Sequence, residues 1–192
     1  MNTYIETLKI QDGKIKNLSY HQQRVFRTIG QVMNLPLPES IDTLRGTMKH
    51  RVVYDANGQV LDVSTHPYTM RPIHSLRIIT DDHINYASKY EDRSALNKLF
   101  SMRGQADDIL IIRDNQVSDT SYCNIVFEDE TGLFTPSTPL LKGTKRQFLL
   151  DKGIIKSRTI NPQDICDYHT AYLINSMIEL GELKIAIDNI RI

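Results

Sequence analysis

Ser88-Lys89-Tyr90-Glu91-Asp92-Arg93-Ser94-Ala95-Leu96-Asn97-Lys98-Leu99-Phe100 sets a lysine between a serine and, two residues on, a glutamate. Ser88 and Glu91 have the spacing of a capping box, which predicts a helix over 91–102 with Ser88 at its N-cap and Lys89 in its first turn. Leu96, Leu99 and Phe100 give that helix an apolar face. A lysine at this point is unusual, because the positive end of a helix disfavours a cation. The same field lowers the pKa of an amine and frees it to attack a carbonyl, as a Schiff-base lysine must. Taken alone, the spacing favours a solvated surface lysine, so other residues have to decide.

Downstream of this stretch, three strands are expected over 108–113, 117–128 and 133–136. The turns between them are short, which predicts antiparallel pairing. A helix over 143–151 ends at Gly153, a short helical turn starts at Asn161, and late strands cover 171–176 and 183–188. Upstream, residues 4–10 read as a strand closed by Gln11-Asp12-Gly13-Lys14. Val25, Ile29 and Val32 predict a helix over 20–33 that Pro36 and Pro38 stop, and a second helix is expected over 41–48. Asn57-Gly58 marks a hairpin between strands at 51–54 and 59–63, and 75–80 reads as the strand that closes this half. The expectation is an α+β chain with a small N-terminal domain over 1–82 and a C-terminal domain over 83–192.

Bulk properties narrow the function. The 192 residues carry 23 basic and 23 acidic side chains, so no net charge draws the chain to nucleic acid or an anionic membrane. No apolar run approaches the roughly 20 residues of a membrane helix, and the start resembles no signal peptide. Cys123 and Cys166 have neither metal nor redox spacing. A cytoplasmic protein without a metal centre is therefore expected. Gly-x-Gly-x-x-Gly, P-loop, nucleophile-elbow and zinc-histidine patterns are all absent.

Two further elements carry chemistry. Over 117–127, alternation puts Asp119 on one face with Val117, Ser121, Cys123, Ile125 and Phe127. Burying a carboxylate there is costly without a partner, and a protonated pyridine nitrogen would be one. Capping of the neighbouring turn accounts for Asp119 equally simply. In Leu141-Lys142-Gly143-Thr144-Lys145-Arg146, a glycine opens a helix, where backbone N–H groups bind phosphate well. A plain loop-to-helix junction gives the same pattern.

Together these residues resemble the class IV aminotransferase family, which includes branched-chain and D-amino-acid aminotransferases and 4-amino-4-deoxychorismate lyase. The resemblance runs from Tyr4 to about Gly181. Ile5-Glu6-Thr7-Leu8 is similar to the family's Phe-Glu-Thr-Leu strand, and His21-Gln22-Gln23-Arg24 to its His-x-x-Arg helix. Lys89 stands where the family keeps its Schiff-base lysine. Val117 to Ile125 resembles the Val-x-Glu-x-x-x-x-Asn strand, Leu141 to Arg146 the Leu-x-Gly-x-x-Arg phosphate turn, and Asn175-Ser176 the late Thr/Asn-Ser pair.

The resemblance implies a two-domain pyridoxal-phosphate fold of type IV with the cofactor in the cleft between domains. It implies Lys89 and Asp119 as catalytic residues. Arg24, Gly143, Thr144, Lys145 and Ser176 would join them in binding pyridoxal 5'-phosphate. It also implies a small amino substrate and a homodimer. The Lys-Tyr-Glu-Asp-Arg stretch and the short chain lean towards 4-amino-4-deoxychorismate lyase. A D- or branched-chain amino-acid aminotransferase and a non-catalytic binding module are the alternatives. Arg51, Tyr54 and Arg71 are candidates for the substrate carboxylate. The chain departs from the pattern in having Asp119 for glutamate, Lys145 for a small hydroxyl residue, and Ile5 for an aromatic. It also lacks the family's leading strands and terminal helix.

Overall fold

A computed structural model describes residues 2–191, which form two compact units. Among these, the first comprises residues 2–70 with Ser88–Asp92, and the second Arg71–Ala87 with residues 93–191.

The first unit is a four-stranded antiparallel sheet backed by one helix. Its strands are β1 (Thr3–Gln11), β2 (Lys14–Ile15), β3 (Thr47–Asp55) and β4 (Val60–Pro67), in the order β2-β1-β3-β4. Asp12 and Gly13 both take positive φ in the first hairpin, as a tight two-residue turn needs. In the second, Gly58 has φ +78° and Asp55 Oδ1 accepts from the Asn57 and Gln59 amides. Helix α1 (Leu18–Ile29) buries Val25 against Tyr4, Leu8, Val52 and Tyr54. Full burial of each such side chain stabilises by roughly 1.5–3 kcal/mol.

Two expectations fail in this unit. Helix α1 stops at Gly30, whose left-handed conformation caps it, so the prolines play no part and Val32 is 84% exposed. Residues 41–48 form no second helix: Ile41–Thr43 is a single 3-10 turn, and Thr47 and Met48 already belong to β3. Nine-residue pairing with β1 outweighs the weak local helical pattern there.

The second unit is built on a mixed sheet. Strands β5 (Leu76–Thr80), β6 (Asp108–Arg113), β7 (Gln116–Thr120), β8 (Asn124–Asp129), β9 (Gly132–Pro136) and β10 (Lys156–Arg158) follow in chain order across it. β11 (Thr170–Ile174) pairs with β8 and with β12 (Lys184–Ala186), and β13 (Ile190–Arg191) pairs with β5. Strand β5, expected to close the first half, lies parallel to β6 in this sheet. Helix α2 (Ser94–Ser101) packs Leu96 and Leu99 inward, and α3 (Thr144–Asp151) starts at Gly143 and ends before Gly153, at φ +66°. Over 183–188 only Lys184–Ala186 is strand, and the chain then turns into a 3-10 helix.

The stretch 117–128 is two strands, not one. The chain reverses at Ser121–Cys123, so β7 and β8 run antiparallel with Asp119 opposite Asn124. The capping box at Ser88 and Glu91 does not form either, because α2 begins at Ser94 with Arg93 as its N-cap. Among the described residues, no helix is long and apolar enough to cross a membrane.

Candidate active site

Lys89 lies in an extended segment held on β1. Its carbonyl accepts from the Ile5 amide at 2.9 Å, the Glu91 amide donates to Thr3 O at 2.9 Å, and Tyr90 bridges Tyr4. Lys89 is half-buried, and Arg51 braces the segment through Glu91 Oε1 at 2.7 Å. The helix-dipole argument for its reactivity therefore falls away. Main-chain pairing replaces it as the reason Lys89 has a defined place.

Beside this segment is a buried charge network that sequence reasoning missed. Glu6, on the helix-facing side of β1, is fully buried and receives Arg24 Nε at 2.8 Å and Nη2 at 2.5 Å. His21 Nδ1 lies 2.5 Å from Glu6 Oε2. Burial opposes the Glu6 charge, but Arg24 and the His21 hydrogen bond outweigh it and hold the carboxyl at about 2. Burial pushes the His21 imidazole down. Its bond to Glu6 works against that, while the Arg24 and Lys89 charges add to it. Lys89 is thus close enough to His21 to be felt electrostatically. Tyr54, Tyr4 and Tyr90 stack in series, with ring centroids 5.7 and 5.5 Å apart. The available signal was His21 and Arg24 three apart on one helix face with an acid on the preceding strand.

In the second unit, Asp119 is buried and accepts from Asn124 Nδ2 at 2.7 Å and the Leu141 amide at 2.9 Å. Asn124 Nδ2 also donates to Leu141 O, at 2.9 Å. Burial pushes the Asp119 carboxyl up to about 6, against those hydrogen bonds and the more distant Arg146 charge. Among the described residues, Asp119 has no ion-pair partner.

The following turn places Gly143 at the head of α3 with no side-chain cap, so the amides of Thr144 and Lys145 open the helix. The Lys145 ammonium pairs with Glu179, and Arg146 donates to Pro136 O at 2.8 Å. Asn175 Oδ1 accepts from the Met177 and Ile178 amides, which sets Ser176 at the tip of a tight turn. The structure therefore groups Lys89 with Arg24 in the first unit, and Asp119 with Gly143, Thr144 and Lys145 in the second. Of the substrate-carboxylate candidates, Arg51 pairs with Asp62 and Glu91, and Tyr54 is buried. Arg71 lies 3.8 Å from Asp108 Oδ2 and borders a cavity of about 280 Å³ with Arg93, Asn97 and Tyr122.

A buried acid without an ion-pair partner among the described residues, on a strand beside a glycine-opened helix, suits a ligand that brings a protonated ring nitrogen and a phosphate. The chain shares its mixed fold with solved aminotransferase structures. A candidate 4-amino-4-deoxychorismate lyase from Haemophilus somnus superposes with a TM-score of 0.83 at 31% identity, covering 94% of this chain and 98% of that one. A hypothetical aminotransferase from Mycobacterium tuberculosis, in its PLP-bound form, superposes with a TM-score of 0.75 at 18% identity, covering 98% of this chain and 81% of that one. An uncharacterized Haemophilus influenzae protein is 34% identical over 185 residues, 92% of this chain and 98% of that one. The model of the amino-transferase class IV family matches residues 83–184. The chain belongs to that family of pyridoxal-phosphate-dependent enzymes.

Proposed function

We propose that this chain is a pyridoxal-phosphate-dependent enzyme acting on a small amino substrate, with 4-amino-4-deoxychorismate as the favoured one. What supports the reading of the site is Asp119: a buried carboxylate with two hydrogen-bond donors and, among the described residues, no ion-pair partner fits a pyridinium nitrogen. The substrate preference rests on the likeness to the Haemophilus somnus protein.

Bound pyridoxal phosphate supplies an electron sink for charge developing at the substrate α-carbon. Asp119 holds a proton on the ring nitrogen. The amides of Thr144 and Lys145, at the head of α3 where no side chain caps the helix, would bind the phosphate with the Ser176 hydroxyl and Arg24. Glu6 fixes the guanidinium plane of Arg24. Lys89 Nζ holds the cofactor and moves the proton at the α-carbon. For the substrate carboxylate, Arg71 is favoured, because Arg51 is already paired with two acids and Tyr54 is buried.

Adding pyridoxal phosphate to purified protein should produce a visible absorption band that Lys89→Ala abolishes. Supplied with 4-amino-4-deoxychorismate, the loaded enzyme should release pyruvate. A colourless protein unaffected by Lys89→Ala overturns the cofactor reading. Turnover of amino acids with a keto acid, and none of aminodeoxychorismate, overturns the substrate assignment.

A further inference from the structure

Arg77, Arg103 and Arg191 come from three separate segments of the second unit and line one pocket of about 450 Å³ with His74, Gln105 and Asn189. Each guanidinium is held by main chain. Arg77 Nη1 donates to Met102 O at 3.2 Å, Arg103 Nη1 to Phe100 O at 3.2 Å, and Arg191 Nε to Asp188 O at 3.0 Å. Arg103 also stacks on the Phe100 ring, 4.1 Å from its centroid. Gly104, at φ +61°, turns the chain in a left-handed conformation beside Arg77 Nη1. Among the described residues, none of the three has a carboxylate partner. The neighbouring acid, Asp107, is engaged through Oδ2 by the His74 and Ser75 amides and the Ser75 hydroxyl.

We infer that this pocket binds a small phosphorylated anion bearing two or more negative charges, of the diphosphate type. Three guanidiniums with no carboxylate partner among the described residues line this pocket, in a chain whose formal net charge is zero. Like charges gathered around one pocket attract a polyanion more strongly than a single carboxylate. Guanidinium is the donor suited to paired phosphate oxygens, and fixing it on backbone carbonyls reduces the entropy lost on binding. The volume falls within the roughly 300–1,000 Å³ of small-molecule sites. The site shares no residue with those proposed to hold pyridoxal phosphate.

Calorimetric titration of pyrophosphate and of inorganic phosphate into the full chain tests the inference. With the cofactor's phosphate site filled by pyridoxal phosphate, pyrophosphate should bind one site, about tenfold or more tighter than phosphate, and weaken with added salt. Arg77→Gln or Arg103→Gln should each lower its affinity about tenfold. Arg77→Lys should recover part of the loss, and Arg24→Gln should leave binding unchanged. Circular dichroism of each variant separates lost binding from lost fold. The inference is overturned if pyrophosphate does not bind, or if folded Gln variants bind it as the parent does. It is also overturned if Arg24→Gln or one equivalent of pyridoxal phosphate abolishes binding, which would locate the anion at the cofactor's phosphate site.

Discussion

Gly143 lies so close to Asn124 that a Cβ at 143 would stand 2.0 Å from Asn124 Oδ1. Its φ of −65° is open to any residue, so the requirement for glycine here is steric. Asn124 cannot swing away without releasing both Asp119 and the Leu141 carbonyl. Gly143→Ala is expected to cost about 1–3 kcal/mol in urea unfolding. In combination with Asn124→Ala the cost should be clearly less than the sum of the two single changes. Additive costs would show that the two residues do not compete for space.

Glu6 and Arg24 are expected to behave as one unit. Glu6→Gln leaves a buried guanidinium without its carboxylate, a change expected to cost about 3–5 kcal/mol. The carboxyl sits at about 2 in the fold against an ordinary 4.5. Its stabilisation is therefore complete above pH 4.5 and is lost as pH falls towards 2. Urea titrations of the parent and Glu6→Gln at pH 6 and pH 3 should show the gap between them narrowing in acid. A gap independent of pH would place the loss in packing instead.

Asp119 has the opposite sign. Its carboxyl is raised from 3.8 to about 6, so its contribution to stability is present below pH 3.8 and lost as pH rises through 6. Carbon-13 NMR of the carboxyl should show a titration near pH 6 in the cofactor-free protein. Pyridoxal phosphate should move that titration down, because a ring N–H beside the carboxylate favours its ionised form. No response to the cofactor would remove Asp119 from the proposed site.

Lys145 is expected to matter through its amide and not its ammonium, which is engaged by Glu179. Lys145→Ala should change the affinity for pyridoxal phosphate by less than about threefold, under 1 kcal/mol. A loss of tenfold or more would mean that the ammonium itself reaches the phosphate.

Much of the fold was legible where local chemistry decides. The strand carrying Ile5 to Leu8, the Asn57-Gly58 hairpin and the helix opened by Gly143 each have turn or cap residues that act over a few positions. The failures share one cause, pairing between residues distant in sequence. Ser88 and Glu91 match a helix cap, yet Glu91 instead gives its amide to Thr3. Met48 joins a strand because Ile10 is opposite it. Alternation along 117–128 continues through a reversal that contains neither glycine nor proline, so the turn left no mark. Motif order singled out Lys89, Asp119 and Gly143, which the structure places on the segment paired with β1, on β7 and at the head of α3. The burial of Glu6 between Arg24 and His21 depends on which face of β1 meets α1, and β1 is buried on both faces, polar residues included, so no alternation of the sequence marks it.

The Ser88–Asp92 segment also bears on how the chain is made. Strand β1 is flanked on one edge by β2 at Ile10 and Gln11, and by Lys89 to Glu91 at its opposite end. A nascent chain that has not yet reached residue 88 therefore displays the Thr3–Ile5 end of β1 as a bare sheet edge, open to pairing with other chains. That edge closes only after Lys89 to Glu91 have been made and have paired with Thr3 to Ile5.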